Sequence, residues 1–310
     1  MRLFIVVILF VTSMSCTQPN ALGDLAQTNT DQALYIQAQQ DLDNSDWDDA
    51  INILTTQLST SYQAQPSVVQ SLAGAYAGKC GVNFPDLANN MKQANSSTVL
   101  FSYIMQAFHG VAVAPAYCEQ AITTMQTLGT VQTRTTDQNL YMAILGMARV
   151  GTTLGSAFSL TTADGGTDSS FSVCNNYVAG VATDGYTPAE IAGGAPAPPA
   201  QPHYFLTNLQ VQTVAAGVGL IFENISALTS AFSVTAGPLI TSITSAQTEC
   251  ESFMGPGNCT VTSPAAVSAQ LIYAYRVFLD TSSYGIGSCD PTITNYNTPG
   301  FCCPALLPVL

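Results

Sequence analysis

Nine cysteines, two histidines and 19 carboxylates supply most of the side chains in this 310-residue chain that could do nucleophilic, redox or metal chemistry. Cys16 stands alone near the start, and the others are Cys80, Cys118, Cys174, Cys250, Cys259, Cys289, Cys302 and Cys303. Zinc sites draw on C-x2-C pairs and suitably spaced histidines. No such pair occurs, and His109 and His203 have no cysteine at finger spacing, so disulfides in an oxidising compartment are the expected fate and no metal is expected. Eight cysteines allow roughly a hundred pairings. Cys250 and Cys259 enclose Gly255, Pro256 and Gly257, a stretch that folds back easily, and they are the first choice. Cys302 and Cys303 are neighbours that strain if joined, so they take different partners, with Cys289 meeting one of them as second choice. Cys80 with Cys118 would link two helical hairpins, leaving Cys174 to tie the middle of the chain to its C-terminal tail.

The carboxylates give a second candidate. Asp41, Asp43, Asp46, Asp48 and Asp49 cluster as oxygen ligands for calcium would, but the EF-hand spacing fails. Asp46 stands where the loop needs glycine, and Asn52 occupies the twelfth position, so a helix cap and a solvated turn explain the cluster better. Catalytic motifs are missing: there is no G-x-S-x-G elbow, no H-E-x-x-H, no P-loop and no G-x-G-x-x-G. The G-V-G at Gly217 and the G-I-G at Gly285 are fragments only. His109, in AFHGVAV, reads as a packed or capping histidine, His203 as an exposed one, and Glu249 and Glu251 as solvent-facing charges rather than a glycosidase pair. The expectation is no catalytic residue and no cofactor.

Cys16 follows MRLFIVVILFVTSMS, in which one charge, Arg2, precedes an apolar run from Leu3 to Val11 and small residues before the cysteine. The run is shorter than the ~20 residues a membrane-spanning helix needs, so it reads as an export signal. These residues resemble the lipobox of bacterial lipoproteins, although Ser13 stands where that family usually has Leu. The resemblance implies cleavage after residue 15, acylation of Cys16 by palmitate-type chains and, through Thr17, an outer-membrane address facing the periplasm or the cell surface. A plain secretory signal cut nearby is the alternative.

Loss of Arg2 leaves Lys79, Lys92, Arg134, Arg149 and Arg276 against 19 acidic residues. So few scattered cations cannot form the basic footprint that phosphate backbones require, and no nucleic-acid partner is expected. The same imbalance gives membrane attachment to the acyl chains on Cys16 rather than to a polybasic patch. With 47% apolar and only 8% charged residues, the chain is a folded one.

The elements that must position these residues are helical. Residues 16–30 are polar and aperiodic and read as a flexible tether. Leu34, Ala38 and Leu42 then recur at helical spacing, a turn follows at Asp43 to Asp46, and Trp47, Ala50, Ile51, Leu54 and Leu58 mark a second helix. Ser45 or Asp46 is the expected N-cap, with Asp48 and Asp49 complementing the first-turn dipole. The stretch ALYIQAQQDLDNSDWDDAINILTTQL resembles a tetratricopeptide repeat: Ala38 and Ala50 match its small packing positions and Trp47 its aromatic turn position, while Asp41 and Gln57 depart from the pattern. SVVQSLAGAYAGKCGV, with Val69, Leu72, Ala73 and Tyr76 on one face, resembles a following first helix. PAYCEQAITTMQTLG, with Pro115 in its first turn, resembles a second helix, and TDQNLYMAILGMARVGTTLG, with Gly146 at the small-residue position, another first helix.

The expectation is an all-α protein: a degenerate tetratricopeptide-like repeat or right-handed α-solenoid over 31–160, with an irregular helical bundle as the alternative. A Gly/Pro-rich connection at 161–202 and a disulfide-tied helical region at 203–310 complete it. In that last region apolar segments run from Tyr204 to Leu228, break at Gly237 and Pro238, and resume over Leu239 to Thr248 and Pro264 to Phe278. The resemblance implies a scaffold or assembly factor that holds another envelope protein or peptide in a groove. Contact is expected on the concave face of helices starting near Asp31, Ser67 and Thr136, with Gln37, Asp41 and Tyr76 as polar contacts. A second reading makes the disulfide-tied C-terminal half of a structural surface lipoprotein the working part, and an enzyme of unrecognised type is the third.

Overall fold

The computed structural model describes residues 29–83, 86–87, 99–108, 114–157, 206–232 and 237–287. The protein is all-α, and no strand forms among the described residues. The chain divides into two compact units, Met1–Val68 and Val69–Leu310. Cys16, Cys174, Cys289, Cys302, Cys303, His109 and His203 lie outside the described residues, as do the signal, the tether up to residue 28 and the 161–202 connection.

In the first unit, helix α1 (Asp31–Asp43) begins where the Thr30 hydroxyl accepts a hydrogen bond from the Ala33 amide at 3.2 Å. Helix α2 (Trp47–Asn52) packs against it, and Ala38 and Ala50 are fully buried, their short side chains letting the backbones approach. The expected α-pitch does not reach Leu58. It gives way to a π turn at Ile53–Gln57, where the Thr55 and Thr56 hydroxyls donate to the Ile51 and Asn52 carbonyls at 2.7 and 2.6 Å. Hydroxyls bonding back onto the preceding turn compete with the regular ladder. Of the two expected caps Asp46 holds the position, without a capping side-chain bond, and Ser45 is left-handed (φ 65°). Helix α3 (Thr60–Gln63) folds back on α1 through Tyr62, whose hydroxyl donates to Gln32 Oε1 at 2.7 Å and whose ring lies 5.9 Å from that of Tyr35.

The second unit is built from α4 (Pro66–Lys79), which begins just before the division, α5 (Leu100–Gln106), α6 (Pro115–Gln126) and α7 (Thr136–Ala157). It continues with α8 (Asn208–Glu223), α9 (Ile225–Phe232), α10 (Gly237–Met254) and α11 (Ala269–Asp280). Two short 3-10 turns, Asn258–Thr260 and Pro264–Ala266, join α10 to α11. α7 packs against α5, α6, α8 and α9, and α8 packs against α7, α11 and both 3-10 turns. The division thus falls at Val68, inside the expected 31–160 span, because residues from Ala73 to Leu154 share one apolar core with residues from Leu206 to Ile286.

The expected break at Gly237 and Pro238 falls at the start of α10, since proline is tolerated in a first turn. The chain also bends by 56° between α8 and α9, inside a segment expected to be continuous, at Asn224. That buried side chain donates to the Leu220 carbonyl at 2.8 Å. No single helix among the described residues is long and apolar enough to cross a membrane.

Candidate functional site

Helix α1, which leads into the acidic turn, carries two of the three expected partner contacts. Gln37 is exposed, and Asp41 lies one helical turn further along α1. Gln32, Ile36, Gln40 and Asp43 follow each other at helical spacing and all are exposed, with Gln37 beside them. Ile36 was not among the expected contacts, yet it is 50% exposed, one of only two large apolar side chains so open among the described residues. Periodicity could have flagged it as an apolar residue off the buried stripe that contains Ala38.

Behind this face one carboxylate, that of Asp41, is poorly compensated. Asp41 Oδ2 is buried with no hydrogen-bond partner among the described residues. Its carboxyl is pushed above the usual range by that burial, then by the charges of Asp49 and Asp46. Asp31, at the other end of α1, is held below the usual range because it accepts from the Ser59 hydroxyl at 2.5 Å and the Ser59 amide at 2.7 Å. From residue 17 to Val68 there is no lysine, arginine or histidine. Among the described residues no three His, Cys, Asp or Glu side chains converge as a metal ion would need.

Tyr76 belongs to the second unit, where it packs half-buried against the core and stacks on Tyr117 with ring centres 6.4 Å apart. Lys79 Nζ sits 4.2 Å from the centre of the same Tyr117 ring, which places a cation over a π face. The expected contact face on the helix at Thr136 is also absent over most of its length. Residues 142–154 of α7 are buried on every side, so that stretch is a core helix and not the wall of a groove.

The structure joins Cys80 to Cys118, with Cα atoms 5.1 Å apart, and Cys250 to Cys259, with Cα atoms 6.0 Å apart. All four cysteines are fully buried. The first bond links α4 and α6, and the second closes the turn that leaves α10.

Sequence reasoning missed the buried charges. Arg149 is 2% exposed inside α7, paired with Glu119 and donating through Nη1 to the Thr262 carbonyl at 3.2 Å. Burial lowers its pKa, while the Glu119 charge and hydrogen bond act the other way. Arg276 is 1% exposed and donates to the Leu206 carbonyl and Asn208 Oδ1 at 2.8 and 3.0 Å. Arg134, also buried, binds the Gly129 carbonyl at 2.8 Å and Asn139 Oδ1 at 2.9 Å. All three arginines are spent inside the second unit, and Arg149 and Arg276 staple distant segments together. No family model matches the chain, and neither a curated protein nor a solved structure matches it.

Proposed function

We propose that the chain is a lipid-anchored protein of the bacterial outer membrane, attached through Cys16, that serves as a protein–protein interaction scaffold or assembly factor. The exposed face of α1 is the part that meets its partner. The observation that carries this reading is Ile36, an open apolar side chain in an exposed polar row with Gln32, Gln37, Gln40 and Asp43. An apolar anchor inside a polar rim is the usual anatomy of a contact that forms and dissolves in water. The close packing of α1 on α2 at Ala38 and Ala50 supports the tetratricopeptide-like reading of this hairpin.

A photo-reactive amino acid placed at Gln37 in the full-length chain tests it. Irradiation of intact cells should give one discrete adduct band, lost when Ile36→Ser is added, whereas the same probe at exposed Thr248 on α10 gives none. Adducts of equal strength from both positions, or none from Gln37, would overturn the reading. Mass spectrometry of the mature protein, before and after Cys16→Ser, tests the anchor: the acyl mass must disappear with the thiol.

The runner-up, a surface lipoprotein whose disulfide-tied C-terminal half is the working part, draws support from the Cys250–Cys259 bond. It predicts the reverse pattern, with adducts from Thr248 alone.

A further inference from the structure

The glycines at 217 and 219 look like the remnant of a nucleotide motif, and the structure gives them a different task. They project from opposite sides of α8. A side chain at Gly217 would meet the Gly146 carbonyl of α7 at 3.0 Å, and one at Gly219 would collide with the backbone of Val261. α8 therefore lies between a core helix and the segment 255–268, which leaves α10 and crosses α8 before α11 begins. The crossing runs antiparallel to the helix. Val261 touches Gly219, and further on the Val267 carbonyl accepts from Gln212 Nε2 at 3.1 Å.

This segment is a strap one chain thick. Pro256, Gly257, Asn258, Ser263, Ala265, Ala266 and Ser268 are exposed, and only Cys259 and Val267 are buried. Its turn uses two left-handed glycines, Gly255 (φ 88°) and Gly257 (φ 83°), so its backbone is costly to order. Apart from the disulfide, the Val261 backbone lying against Gly219, the packing of Val261 on the core, the burial of Val267 and side-chain bonds from Arg149 and Gln212 to its carbonyls hold it down. These contacts work against the entropy cost of ordering every residue of the segment. The Cys250–Cys259 bond fixes the strap two residues before it reaches Gly219.

The geometry points to an oxidation-dependent latch: the strap closes over α8 when Cys250 and Cys259 join, and opens when they part. The closing step is thiol–disulfide exchange. The two thiols lose two protons and two electrons to a disulfide oxidant, which leaves as a dithiol, and the new bond runs from Cys250 Sγ to Cys259 Sγ. Opening is the same exchange in reverse with a dithiol reductant, which reaches the buried sulfurs when the strap lifts and then holds it open by leaving two thiols. What opens is the side of a helix in which every residue from Val214 to Phe222 is buried.

Hydrogen exchange on the intact chain tests the latch. Paired Cys250→Ser and Cys259→Ser substitutions should speed exchange of the 214–222 amides on the order of thirtyfold, while α1 keeps its rate. Paired Cys80→Ser and Cys118→Ser substitutions should leave the 214–222 amides within about threefold of the oxidised protein. Wild-type protein treated with a dithiol should reproduce the α8 effect and gain protease cleavage inside 255–268. Unchanged α8 exchange in the Cys250/Cys259 variant would overturn the proposal. Loss of protection throughout the second unit would overturn it too, because the bond would then be a staple for the whole unit and not a latch for one segment.

Discussion

At Asp280, the last residue of α11, burial pushes the carboxyl up to about 7. Nothing in the sequence around YAYRVFLDTSS marks this aspartate as different from an exposed C-terminal one, because its burial comes from packing in the second unit. A carboxyl whose folded pKa exceeds its ordinary 3.8 binds its proton more tightly in the folded state. Its contribution to stability is therefore fully present below about pH 4 and is lost as pH rises through about 7. The urea midpoint of the wild type should fall between about pH 5 and about pH 8, and Asp280→Asn should flatten that fall. An unchanged slope in the variant would mean that other groups carry the pH dependence. Buried Arg149 belongs to the same lesson. Its i, i+3 and i, i+4 neighbours make α7 look half-amphipathic, whereas residues 142–154 are enclosed all round. The Cys250–Cys259 pairing was legible because a short turn with two glycines keeps the partners together, and the Cys80–Cys118 pairing because two helices needed a link.

Helices are where local signals and tertiary contact meet most visibly. Pro115 opens α6 as its missing amide predicts, and Thr207 caps α8 in a reciprocal box with Gln210. Both signals lie within a few neighbouring residues, although only Pro115 was among the expected helix starts. The roles of the helical glycines are not, since each depends on what lies opposite. A methyl group at Gly219 must displace the Val261 backbone, so Gly219→Ala should cost about 1–3 kcal/mol through overpacking. Gly155, in the last turns of α7, has nothing within 4 Å of such a methyl group. Gly155→Ala should be neutral or stabilise by up to about 1 kcal/mol through helix propensity alone. Thermal melts of the two variants, read side by side, check the pair. Equal destabilisation would mean that the strap does not approach α8 as closely as the structure has it.

At the scale of the whole chain, the two units differ in what they bury. The first encloses Ala38, Ala50, Ile53, Leu54, Leu58 and Val68, and the second encloses an apolar core from Ala73 to Ile286 with two disulfides inside it. Less apolar burial leaves less to oppose local opening. Amides of α1 and α2 should therefore exchange at least about tenfold faster than those of α7 and α8 under native conditions. Equal rates in all four helices would show the chain opening as one cooperative body. The sequence by itself determined the all-α class, the hairpin at the acidic turn and the helix starts near Asp31 and at Pro115. Helical periodicity, capping and turn chemistry act over four to ten neighbouring residues, so they can be read without knowing the rest of the fold. Only the tertiary structure decided that the units part at Val68, that Tyr76 packs on the core, that α7 has no open face along residues 142–154, and that Gly217 and Gly219 are contact points. Those outcomes depend on which faces meet across long stretches of chain, and apolar attraction, being non-directional, leaves that choice to the packing of the whole unit.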